Sequence, residues 1–157
     1  MKNYLEEAIN EFKRAEHLLH VTLKYTRTVD VLKILINRLV QTIDFLLEGI
    51  LNKLKDEKKI DVVPSQPGVR CNVLLEHFPE DKKLINYINF YLLLRKLLRI
   101  KYTKINEFRR HVALVYELDG KEDKFNIDKS YEYFEETNKF INYYKIILGI
   151  KINDEDD

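Results

Sequence analysis

Between Arg95 and His111 the chain carries Arg95, Lys96, Arg99, Lys101, Lys104, Arg109 and Arg110 against the single acid Glu107, with Tyr102 and Phe108 interleaved. Guanidinium and ammonium groups attract phosphate oxygens, and aromatic rings set among them offer stacking faces for bases. The pattern predicts a local basic patch for a nucleotide, RNA or an acidic protein, with Arg95, Arg99, Lys101, Tyr102, Arg109 and Arg110 as its binding residues. The competing account of the same cations is a solvated helix end, where positive charge complements the negative end of the helix dipole.

Other chemistry-bearing residues give sparser signals. Asp44 and Glu48 lie one helical turn apart, a spacing that sets two carboxylates on one face for acid-base work or for holding a metal, given convergent partners. The competing reading is a polar stripe along a long helix. His17 and His20 can share a helix face, yet supply at most two zinc ligands where a structural site takes four, so no metal site is expected. Six residues separate Cys71 from His77, which turns them about 120° apart on a helix and marks Cys71 as a packed thiol rather than a nucleophile. Glycine-rich phosphate loops, paired-cysteine zinc ribbons and serine nucleophile motifs are absent from the sequence, and no cofactor is implied.

Composition limits the partners further. With 27 basic and 26 acidic side chains the formal charge of the 157-residue chain is +1, so any pull on nucleic acid must come from a local patch. A single cysteine and an N-terminal stretch without the order of a secretory signal predict a reducing, cytoplasmic setting. No membrane span is expected, because the most apolar stretch, Val29 to Leu54, is broken by Asp30, Lys33, Arg38, Asp44 and Glu48. The 45% hydrophobic content, with only 4 Gly and 3 Pro, predicts one mainly α domain over 1–152, followed by an acidic mobile tail at 153–157.

The elements that must position these residues follow from periodicity. Leu5, Ala8, Ile9, Phe12, Ala15, Leu19 and Leu23 recur at three- and four-residue steps and predict an amphipathic helix over 3–25. A second helix over 28–55 carries Leu32, Leu35, Leu39, Ile43, Leu46, Leu47 and Ile50 on a broad apolar surface, and belongs at the centre of a bundle. Gly49 within it either permits close helix approach or is simply tolerated. A loop over 56–68 leads to a short helix over 69–78, and Pro79 separates that from a longer one over 80–100. Tyr102–Glu107 reads as a polar connector. Val112, Leu114, Tyr116 and Leu118 then alternate before Asp119-Gly120, with Phe125 and Ile127 beyond, which predicts a small β-hairpin. A helix through His111–Leu118 is the alternative. The final helix is expected over 128–148, with Asp128 as N-cap and Gly149 at its end. The sum is a bundle of about five helices with a small hairpin before the last.

This order of elements, with Leu94-Arg95-Lys96-Leu97-Leu98-Arg99-Ile100-Lys101-Tyr102 at the end of the fourth helix, resembles the HEPN-like helical domains. Ribonuclease members of that family use an arginine followed, after four to six residues, by a histidine. With Arg95 in the first role, the second falls on Ile100, Lys101 or Tyr102, none of them histidine, and Lys96 replaces the frequent polar follower. The resemblance therefore implies phosphate contact by Arg95 and stacking by Tyr102 without RNA cleavage. It also implies a homodimer with a basic groove between subunits, and in some members a nucleotidyltransferase partner. The expected function is a non-catalytic binding or scaffold module; the alternative is a hydrolytic enzyme with a site built on Asp44, Glu48 or His111. A scaffold whose apolar helix faces bind another protein is the third possibility.

Overall fold

The computed structural model describes residues 2–150; the acidic tail expected at 153–157 lies outside them. Helix α1 (Tyr4–His17) opens on Asn3, whose side chain accepts the Glu6 amide at 3.0 Å. It continues through a π-helical turn, Leu18–Thr22, where the Leu23 amide reaches back to the Leu18 carbonyl, and closes with the α turn Leu23–Tyr25. The connector Thr26–Thr28 reverses the chain. Thr28 then caps α2 (Val29–Asp56) by accepting the Val31 amide at 3.2 Å.

Helix α2 is the hub. Leu32, Leu35, Ile36, Leu39, Ile43, Leu46 and Ile50 are fully buried along one face, and buried Val31, Val40, Gly49 and Leu51 widen that face on both sides, as in a core helix wrapped by its neighbours. Each such side chain contributes about 1.5–3 kcal/mol on leaving water. Glu11 of α1, only 8% exposed, accepts from Arg14 at 2.6 Å and from Arg38 of α2 at 3.0 Å, which satisfies its charge and ties the two helices together.

Helix α3 (Pro67–His77) begins two residues before the expected start, because Pro67 brings a helical φ and lacks only an N–H that the first turn leaves unbonded. Helix α4 (Lys82–Leu97) is capped by Asp81, which accepts the Leu84 amide at 3.0 Å and the Tyr143 hydroxyl at 2.6 Å. Helix α5 (Ile127–Ile147) seats its rings on its neighbours: Phe134 stacks on Phe12 at 4.3 Å and Phe140 on Tyr87 at 4.7 Å. Its N-cap is Asn126, which accepts the Lys129 amide at 2.9 Å, and not Asp128. Asn126 still has the extended backbone of the preceding strand, so the helix starts as soon as that strand ends, and Asp128 falls inside the first turn. Gly149, with φ +69, ends α5 as expected.

Before α5 the chain forms three strands and not a two-stranded hairpin. Strands β1 (Tyr102–Ile105), β2 (Ala113–Leu118) and β3 (Lys121–Asn126) pair antiparallel in sequence order. The Asp119-Gly120 turn is present, both residues in the left-handed region (φ 53 and 78), and Leu114 lies opposite Phe125. The added strand occupies the segment expected as a connector. Thr103, Lys104 and Ile105 are exposed, so β1 buries no alternate face and carries no period-2 signal; its pairing with β2, Tyr102 opposite Tyr116, makes it a strand. No helix among the described residues is long and apolar enough to cross a membrane.

Candidate functional site

The fold distributes the basic stretch over several surfaces. Arg95 and Arg99, one turn apart at the end of α4, line a groove of about 280 Å³ with Leu92 and the start of α3 at Gln66, Pro67 and Gly68. Lys101 and Tyr102 line a different depression on the sheet, with Thr103, Tyr116 and Glu117. One face of the Tyr102 ring is covered by the Lys33 ammonium at 4.6 Å. Lys104 pairs with Asp30 at 3.4 Å and with Glu107 at 3.8 Å, which neutralises it. Arg110 and His111 line a third cleft, joined there by Arg27 and Lys124. Arg109 is exposed and lines none of these three. Of the six residues expected to bind together, Arg95 and Arg99 share one depression and Lys101 and Tyr102 another, while Arg109 and Arg110 join neither pair.

The Arg95 groove has the more developed surroundings. Its helical wall is the N-terminus of α3, which has no side-chain cap; a Cβ added at Gly68 would meet nothing within 4 Å. Amides of an uncapped first turn are free to meet an anion. Behind the groove the Arg95 guanidinium lies 5.8 Å from the Tyr91 ring centroid, and the Tyr91 hydroxyl donates to the Asp44 carboxylate. Burial pushes the Asp44 pKa up; the Tyr91 hydrogen bond and the positive charges of Arg95 and Arg70 pull against that rise, and Glu48 adds to it. Glu48 is paired with Arg70 at 3.8 Å, while Arg70 also donates to the Pro64 carbonyl at 2.6 Å. The two carboxylates read from their spacing thus belong to one network with Arg95, joined by Tyr91 and Arg70, which the sequence did not single out. A partial signal existed: Tyr91 and Arg95 are four residues apart on α4.

The third cleft is assembled by a tight loop. Asn106 and Phe108 both have positive φ (54 and 67); the Phe108 amide donates to the Arg27 carbonyl at 2.6 Å, and the Asn106 side chain donates to the His111 carbonyl at 3.2 Å. Glu107 accepts the Val29 amide at 3.2 Å and so clamps the loop to the start of α2. Arg27 and Lys124 carried no sequence signal for this cleft.

The remaining candidates are placed apart from these sites. His20 packs its ring against Tyr131 at 5.7 Å and Phe134 at 6.0 Å, while His17 is exposed. No group of three or more His, Cys, Asp or Glu among the described residues has metal-binding geometry. Cys71 is 2% exposed and burial raises its thiol pKa to about 11, whereas His77 bonds through Nδ1 to the Val73 carbonyl at 2.9 Å. No protein-family model, curated protein or solved structure matches the chain.

Proposed function

We propose that the chain is a non-catalytic, HEPN-like helical binding module of the cytoplasm that takes phosphate groups of RNA into the groove of Arg95 and Arg99. The observation that carries this reading is the meeting of two guanidinium side chains with the uncapped N-terminus of α3 in one groove. Guanidinium donors and unbonded first-turn amides both favour phosphate oxygens. A second copy of the chain completes the groove, as the family resemblance implies. Binding of a short single-stranded RNA, followed between about 50 and 200 mM salt, should weaken as salt rises, because each phosphate contact releases counterions. Replacing Arg95 and Arg99 by Ala should lower the slope of log affinity against log salt by about 1.4, at about 0.7 per phosphate on a single strand. An unchanged slope, or no association at either salt, sinks the reading. Sedimentation of a strictly monomeric particle removes the second copy from it.

The second reading is a hydrolytic enzyme, favoured by the network of Asp44, Tyr91, Arg95, Arg70 and Glu48. A carboxyl group of raised pKa beside two guanidinium groups has the makings of a proton donor next to an anion site. Metal-dependent cleavage of RNA that disappears in Asp44→Asn with Glu48→Gln supports this reading. Full activity in that double variant rejects it.

A further inference from the structure

Away from the Arg95 groove lies a larger cleft, of about 450 Å³, with a strongly one-sided charge. Arg27 reaches it from the α1–α2 connector, Arg110 and His111 from the loop before β2, and Lys124 from β3. The first turn of the 21-residue α5 closes it at Ile127 and Asp128, the latter its one acidic wall residue. No ion pair among the described residues includes Arg27, Arg110, His111 or Lys124. The Nε of Arg27 is buried and has no hydrogen-bond acceptor among the described residues. A buried donor without a partner costs about 1–3 kcal/mol, so Arg27 is held at the cleft without an acceptor of its own among the described residues.

Beyond Arg27 and Ile127, which it shares with the cleft, a second depression of about 150 Å³ has a different character. Buried Leu19 and Leu23 form its apolar floor, and His20 and the 44% exposed Tyr131 form an aromatic wall. His20 stands on the π-helical turn, a local widening of α1 that is uncommon in helices and recurs at functional sites. A cationic cleft thus adjoins, at Arg27 and Ile127, a smaller one with an aromatic wall, an apolar floor and Lys24 at its side. The larger volume is within the roughly 300–1,000 Å³ of small-molecule sites and far exceeds what a bare anion needs.

We propose that this double cleft binds a nucleoside 5′-monophosphate, with the phosphate held by Arg27, Arg110 and Lys124 and the base against Tyr131 and His20. His111 and the first-turn amides of α5 that the Asn126 cap does not take add donors to the phosphate side, which outweigh the single carboxylate of Asp128. The base gains stacking area on the aromatic wall, an interaction tolerant of base identity. This site is separate from the RNA groove of Arg95 and Arg99 and does not depend on it.

The test titrates the full chain with adenosine 5′-monophosphate, ribose 5-phosphate and adenosine, followed by calorimetry and amide NMR. Adenosine 5′-monophosphate should bind about tenfold more tightly than ribose 5-phosphate, in proportion to base stacking, and adenosine should not bind measurably. Both phosphates should shift the amides of Arg110, His111, Ile127 and Asp128. Arg110→Ala with Lys124→Ala, both exposed side chains, should weaken both phosphates at least tenfold. Tyr131→Ala should weaken only the nucleotide. Arg95→Ala with Arg99→Ala should leave nucleotide binding unchanged while weakening RNA binding and lowering its salt dependence, so the two sites fail independently. The proposal is overturned by equal affinity for nucleotide and ribose 5-phosphate, by the absence of nucleotide binding at millimolar concentration, or by binding that survives Arg110→Ala with Lys124→Ala.

Discussion

The Tyr91 hydroxyl of α4 donates to the Asp44 carboxylate of α2, across the seam on which Arg95 also lies. The bond places a carboxyl group of raised pKa beside a guanidinium group that faces the groove on its other side. Helix packing, not local sequence, therefore decides the ionisation behind the basic groove. The hydrogen bond favours the charged form of Asp44 and burial opposes it, with burial the larger effect.

Asp44→Asn should stabilise the fold at neutral pH. A carboxyl group whose folded pKa lies above its unfolded value contributes fully only while both states are protonated, and that contribution is lost as pH rises from the ordinary carboxylate range through the raised value. Asn keeps an acceptor for Tyr91 and never ionises. Urea unfolding at acid and neutral pH should thus give a stability advantage for the variant that is present at neutral pH and vanishes at pH below the carboxylate range. Tyr91→Phe, which strips the donor from a half-buried acid, should instead cost about 1–3 kcal/mol at neutral pH. A gain for Asp44→Asn that is the same at every pH would contradict the account.

Cys71 should be inert in the folded chain. Burial raises its thiol pKa to about 11, with the Arg95 charge pulling the other way, so only about one thiol in a thousand is ionised at pH 8. At 2% exposure the sulfur is also out of reach of a bulky disulfide reagent. Ellman's reagent should release one thiol equivalent per chain in denaturant and react in native buffer only as fast as the protein opens. Immediate stoichiometric reaction of the native protein would show the thiol to be accessible.

The helices were legible because each buries a face whose period is written in the residues: Leu5, Phe12 and Leu19 along α1, and Leu32 to Leu51 around α2. The β2–β3 turn was legible because Asp119-Gly120 suits two left-handed residues. Strand β1 was not, since its exposed Thr103, Lys104 and Ile105 take strand geometry from a partner and not from burial. The same limit applies to the sites. Arg95 and Arg99 fall in one groove because Arg99 sits in the turn that closes the helix of Arg95, whereas Arg110 is joined to Arg27 through a loop whose Phe108 amide bonds the Arg27 carbonyl. The dense run of cations marked where charge is concentrated along the chain; chain reversals between Ile100 and Val112 then sent those charges in different directions.

Gly49 should resist enlargement. A Cβ there would overlap the Tyr144 hydroxyl and come within 2.9 Å of two ring carbons, and Tyr144 is itself only 3% exposed and has little room to withdraw. Close approach of α2 and α5 is thus the reason for glycine at this position. Ala would gain about 1 kcal/mol of helix propensity, but overpacking costs about 1–3 kcal/mol, so Gly49→Ala should destabilise on balance. Adding Tyr144→Phe removes the worst overlap and leaves the ring contacts, and should restore part of the loss. Thermal unfolding of the two single variants and the double variant measures that coupling; strictly additive effects would mean the two residues do not meet.

Phe108 should be more stable as glycine. It holds φ 67 while 77% exposed, so a bulky side chain occupies the left-handed region without burying itself in return. That conformation costs an L-residue about 1–2 kcal/mol, and glycine escapes it at the expense of about 0.4–1 kcal/mol of extra freedom in the unfolded chain. Phe108→Gly should therefore raise unfolding stability by about 0.5–1 kcal/mol, whereas Phe108→Ala, which keeps a Cβ in the same region, should be close to neutral. The contrast between the two variants separates backbone strain from loss of the ring. Equal effects of Gly and Ala would place the cost in the side chain, and the loop that carries Arg110 and His111 would then owe its shape to its hydrogen bonds, from the Phe108 amide to Arg27, from Asn106 to His111 and from Val29 to Glu107.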